Sequence, residues 1–161
     1  MDLYQRNINV SVHRMDDDQI MLWSTMLDLD HSIRVQLIID AANRQIVDAS
    51  GEMLKVPFSI CQQTLANLER LKGLTVKRGI AKEVSAAVGR NTGCVHLVET
   101  VMSAVRLVFP FLVGYGSGLT DWQQLEQLTE EEQIQLGKLF LADTCLAYKT
   151  DADEEEGERA R

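Results

Sequence analysis

Ile8, Val10 and Val12 occupy every second position of NINVSVHR, with polar residues between them. Side chains alternate across a strand, so this spacing predicts a half-buried strand. QIMLWSTML (19–27) follows after the polar turn MDDD. SIRVQLIID (32–40) places Ile33, Val35, Leu37 and Ile39 on one face, AANR makes a turn, and QIVDAS (45–50) reads as a fourth strand. The short connections predict an antiparallel meander.

After Pro57 the period changes. Cys61, Leu65 and Leu68 recur at i, i+4 and i+7, one face of an α-helix, with Gly73 as its stop. IAKEVSAAVG (80–89) predicts a second helix, and GRNTG a loop. NTGCVHLVETVMSAVRLVF (91–109) then predicts a third helix, ended or kinked at Pro110. GYGSG (114–118) reads as a loop. Thr120 with Gln123, and Thr129 with Glu132, are spaced as capping boxes, the second opening a helix that reaches about Tyr148. Strands first and helices after predict an α+β fold, an antiparallel sheet of about four strands covered by helices, as one domain over 1–150.

Composition adds bounds. Net charge is −8, and half of it lies in the tail DADEEEGERAR, 151–161, whose lack of apolar residues predicts disorder. A modestly acidic body argues against nucleic acid as partner, because phosphates are met by Lys and Arg. A protein partner is left open. The N-terminus has no apolar signal segment, and the longest apolar run carries Glu99, Arg106 and Pro110, so neither export nor membrane insertion is expected. The reading is cytoplasmic. Three cysteines in a reducing compartment point to thiols or metal ligands rather than disulfides.

The candidate chemistry sits where helices begin. Cys94 follows Gly93 in the first turn of its helix, where free backbone N–H groups and the helix dipole favour a thiolate. His96 follows two residues on, and Glu99 is spaced to orient its imidazole as a supporting partner. Cys61 opens the first helix as Cys94 opens the third, although core packing is its default role. His31 enters the third strand beside Asp28 and Asp30, with Asp30 as a second supporting carboxylate. Cys145 reads as core of the last helix. Individually each has an ordinary structural explanation. Together Cys61, Cys94, His96 and His31 form a mixed nitrogen–sulfur set of the kind that zinc or an iron–sulfur centre accepts. The alternatives are a thiol enzyme with Cys94 as nucleophile and His31 or His96 as base, and an interaction module with core cysteines. CxxC, HExxH, P-loop and GxGxxG motifs are absent, so no nucleotide cofactor is expected.

DHSIRVQLIID, QIVDAS, PFSIC, LKGLTVKRGIAKEV and GCVHLVE resemble an uncharacterised bacterial family, the domain of unknown function numbered two-eight-eight-nine, over roughly residues 7–109. Where the family usually has Gly-Cys-Thr-His-Leu, this chain has Gly93, Cys94, Val95, His96 and Leu97. Where it often has His-Asp-Met, the chain reads His31, Ser32, Ile33. The resemblance implies relatives and carries over no assigned activity. The order of DHSIRVQLIID, SICQQTLANLERLKG and GCVHLVETVMSAV is also similar to iron–sulfur scaffold proteins of the NifU/IscU type. The chain departs from them in lacking a Cys-Gly-Asp near the first ligand.

Overall fold

The computed structural model describes residues 3–15, 18–116 and 126–150. The chain divides into two compact units, Met1–Pro110 and Phe111–Arg161. The first carries a four-stranded sheet of β1 (Arg6–Arg14), β2 (Gln19–Asp28), β3 (Ser32–Asp40) and β4 (Gln45–Lys55), in spatial order β1-β2-β3-β4 with every pair antiparallel. The alternation read from the sequence is the cause. Ile20, Leu22, Ser24, Met26 and Asp28 of β2 are all buried, and Ile33, Val35, Leu37 and Ile39 of β3 match them. The opposite face carries Trp23, with the Arg34 guanidinium 3.9 Å over its ring. The arrangement is the expected α+β one, sheet first and helices after.

The register decides what meets at the end of the sheet. Arg6 pairs with Asp28, Leu27 with Ser32, and Ser32 with Lys55. The start of β1, the end of β2, the start of β3 and the end of β4 therefore lie together. A register shift between Ser32 and Ile33 marks a bulge there, and bulges re-aim side chains beside sites.

The first helix, Ser59–Leu71, is 3-10 rather than α. Its more buried positions are Cys61, Thr64 and Leu65, Asn67 and Leu68, then Leu71. That is close to the three-residue period of a 3-10 helix, in which i and i+3 eclipse. The i+4 and i+7 spacing seen in the sequence fits both geometries over so short a span. Gly73 ends the segment with φ +86°, a left-handed conformation that glycine adopts at no steric cost. LKGLTV then folds back along the start of β4, with bonds from the Gly73 amide to the Ile46 carbonyl and from the Val76 amide to the Arg44 carbonyl.

Helices α1 (Ile80–Val88) and α2 (Val95–Gly116) follow. Helix α2 runs on past Pro110, which the sequence marks as its end or a kink, and takes in the first residues of the expected GYGSG loop. A proline costs a helix one backbone bond and a clash with the preceding turn, roughly 3 kcal/mol, without obliging it to stop. Leu97, Val101, Ala104, Val105 and Val108 form its buried stripe.

In the second unit Thr129 caps α3 (Glu130–Leu141) in a full capping box with Glu132. This helix ends at Leu141, well short of Tyr148. Asp143 adopts φ +59° and binds Thr150 through its carboxylate, and one 3-10 turn, Leu146–Tyr148, closes the segment. Cys145 therefore lies beyond the helix and is exposed, not in a core. The box expected at Thr120 and Gln123 and the acidic tail 151–161 lie outside the described residues. No helix among the described residues is long and apolar enough to cross a membrane.

Candidate functional site

Asp28 is the hub of the sheet end described above. Its side chain is fully buried. Oδ1 accepts the backbone N–H groups of Asp30 and His31 at 2.9 and 2.8 Å, which folds the β2–β3 turn around the carboxylate. The same oxygen lies 2.9 Å from His31 Nδ1, and Oδ2 accepts Arg6 Nε at 2.8 Å. The Tyr4 hydroxyl adds a further bond. Burial works against the charged form of Asp28. The bonds from His31, the Asp30 amide, Arg6 and Tyr4 outweigh it and hold the carboxyl well below the usual carboxylate range.

An ionised carboxylate can only accept, so the proton between Asp28 and His31 sits on Nδ1. Nε2 is the His31 nitrogen left for other chemistry. The His31 ring is buried and stacks on His96, with centroids 3.8 Å apart and planes tilted by 45°. Burial, His31 and Arg6 push the His96 imidazole below its ordinary value, which favours the neutral ring.

Cys94 precedes α2 and is not part of its regular turns. Its amide donates to the Val88 carbonyl and its own carbonyl accepts from Val98, the first bond of the helix. A Cβ on Gly93 would overlap the Val88 and Gly89 carbonyl oxygens, so only glycine lets the chain pass close enough to place Cys94 there. Two residues apart on a regular helix would point away from each other. From this capping position Cys94 Sγ comes within 4.0 Å of His96 Nδ1.

The structure thus brings His31, His96 and Cys94 together, and Arg6 binds them into the fold. Arg6 holds Asp28 through Nε and Glu99 through a second nitrogen, both at 2.8 Å. Glu99, expected to orient His96, instead makes this bond to Arg6. Asp30 contributes its backbone amide to Asp28. Cys61 lies half-buried in the 3-10 helix, its amide bonded to Phe58 and its carbonyl to the Thr64 hydroxyl. Among the described residues no group of three or more His, Cys, Asp or Glu is placed to hold a metal ion. Two imidazoles on one tetrahedral zinc, with Zn–N near 2.0–2.1 Å, put their centroids about 5 Å apart. The two rings here are closer than that.

Sequence reasoning passed over Asp28 and Arg6. The signal for Asp28 was local: an aspartate three residues before His31 can accept the turn's amides. Arg6 had none, because its partner Glu99 is 93 positions away.

A search of curated proteins finds no match, and a search of solved structures finds none, so the likeness to iron–sulfur scaffolds gains no support. The family model described as "Protein of unknown function (DUF2889)" matches residues 4–109. That span covers more than half of the chain and holds Tyr4, Arg6, Asp28, His31, Cys94, His96 and Glu99, and the chain belongs to this family.

Proposed function

We propose that the cluster is a thiol acid–base site, with Cys94 as nucleophile and His96 as its proton acceptor. The observation that carries this reading is the 4.0 Å approach of Cys94 Sγ to His96 Nδ1, and burial favours the neutral form of that ring. An apo thiol–imidazole pair is often longer than the working hydrogen bond and tightens when substrate binds. His31, fixed by Asp28, stands against the second ring and limits how His96 turns. Cys94 stands at the N-terminal end of α2, where the helix dipole favours charge developing on the sulfur.

Alkylation by iodoacetamide at pH 7 tests the proposal, because exposed Cys145 is an internal reference. Cys94 is expected to react about tenfold faster than Cys145, and His96→Ala is expected to remove the difference. Equal rates in the wild type would sink the reading. Protection of Cys94 by one equivalent of zinc, lost in His31→Ala, would replace it with a metal site built from the same residues.

A further inference from the structure

The exposed apolar side chains of the first unit concentrate at the end of the sheet that bears the cluster. Leu29 lies in the β2–β3 turn, two residues before His31, and Val95 lies between Cys94 and His96. Leu3 and Tyr4 precede β1, and Phe58 and Ile60 follow β4. These six are between 48% and 87% exposed. Leu27 and Leu54, 56% and 76% exposed, lie near the same end but on the other face of the sheet beside Trp23 and Arg34, and at the opposite end Met15 and Val47 are 37% and 39% exposed. Exposed large apolar residues scattered singly need no explanation, whereas a group on four separate segments at one end of a sheet does.

Charge at this end is only partly matched. The Arg6 guanidinium already holds two carboxylates, Asp28 and Glu99. The Lys55 ammonium donates to the Leu29 carbonyl. The Arg6 charge is thereby matched, whereas Lys55, bonded to one neutral carbonyl, keeps its charge at the rim. Beside Lys55 and the exposed Asp30 carboxylate stand a thiol, an imidazole whose neutral form burial favours, and an apolar collar. The thiol, the imidazole and the collar suit a carbonyl attached to a hydrocarbon chain.

We infer that the site takes an apolar acyl group presented as an ester or thioester. This rests on the thiol reading for its chemistry and on the collar for its substrate class. Cys94 gives its proton to His96, and the sulfur attacks the acyl carbon. The bond from that carbon to the leaving oxygen or sulfur breaks, and the leaving group takes the proton from His96. Water then attacks the S-acyl carbon, passing one proton through His96 to the departing Cys94 sulfur. The products are a carboxylic acid and the free thiol.

Two readouts on the full chain separate the two claims. Octanamide and acetamide are neutral carbonyl compounds that do not acylate thiols, and their binding is followed through the imidazole NMR signals of His31 and His96. Each methylene taken out of water is worth about fourfold in affinity, so half-burial of the added chain predicts octanamide binding about 50-fold more tightly. Leu29→Asp and Val95→Asp should each abolish most of that preference, and Met15→Asp, at the opposite end, should leave it. In parallel, intact mass and peptide mapping follow acylation by p-nitrophenyl octanoate and acetate, with the octanoyl adduct expected faster and on Cys94. Tight octanamide binding without an adduct would keep the acyl-binding surface and remove the thiol chemistry. Octanamide binding no better than acetamide would overturn the inference, whatever happens at Cys94. A dimer in ultracentrifugation that Leu29→Asp dissociates, with no octanamide response, would also overturn it and assign the collar to a second copy.

Discussion

Asp28 and Asp30 look interchangeable in LDLDH, yet the fold uses them differently. The Asp28 carboxylate is buried under bonds from two backbone amides, an imidazole, a guanidinium and a phenol. Asp30 gives only its amide and keeps its side chain exposed. Asparagine at 28 would keep an acceptor on one side and turn a donor toward Arg6 on the other. Setting that donor against a partly buried guanidinium, which keeps Glu99, costs roughly 1–3 kcal/mol. Asp28→Asn should therefore lower unfolding stability by about that amount in urea, while Asp30→Asn stays within about 0.5 kcal/mol. Equal effects would show that the turn, not the carboxylate network, holds this end of the sheet. The distinction was hidden in the sequence because both aspartates fit the turn, and only the pairing of Arg6 with Asp28 across β1 and β2 separates them.

At the level of elements, the strands were legible and the helices less so. Ile33, Val35, Leu37 and Ile39 allow one strand register with a dry face, since a one-residue slip would turn all four outward. The segment at Ser59–Leu71 had no such protection. Three-fold and 3.6-fold periods separate only over several turns, and Thr64 and Asn67 face inward where a hydrophobicity pattern does not look for them. The extent of α2 was obscured by Pro110 and its start by Gly93. That glycine is what positions Cys94, so Gly93→Ala should displace the start of α2. The expected result is loss of the faster alkylation of Cys94, together with a destabilisation of roughly 1–3 kcal/mol from overpacking. Retained Cys94 reactivity in Gly93→Ala would mean that the close passage of the chain does not set the thiol. In the other unit, Thr129→Ala removes one half of a complete capping box and should cost about 1 kcal/mol, read as a lower melting temperature. No shift there would mean that α3 is held by contacts other than its cap.

For the whole molecule the shifted groups around the cluster set a direction of pH dependence. His96 has its folded value below the ordinary 6.5 because of burial, His31 and Arg6, with Asp28 and Glu99 pulling the other way. The unfolded chain therefore takes up that proton first, and this part of the stability is complete above pH 6.5 and lost as pH falls below it. Asp28 is shifted in the same direction from 3.8. Its contribution is complete above that value and lost as pH falls through it toward the folded one. Tyr4 and Lys72 are raised from 10.0 and 10.5, so their contributions fade only in strong alkali. The net expectation is a plateau of stability between about pH 7 and 9 and a descent on the acid side in two stages. Urea unfolding at closely spaced pH values measures it. His96→Gln should flatten the first stage and spare the second, and Asp28→Asn should flatten the second. A single acid transition that neither variant alters would mean that the cluster's protons are not coupled to folding.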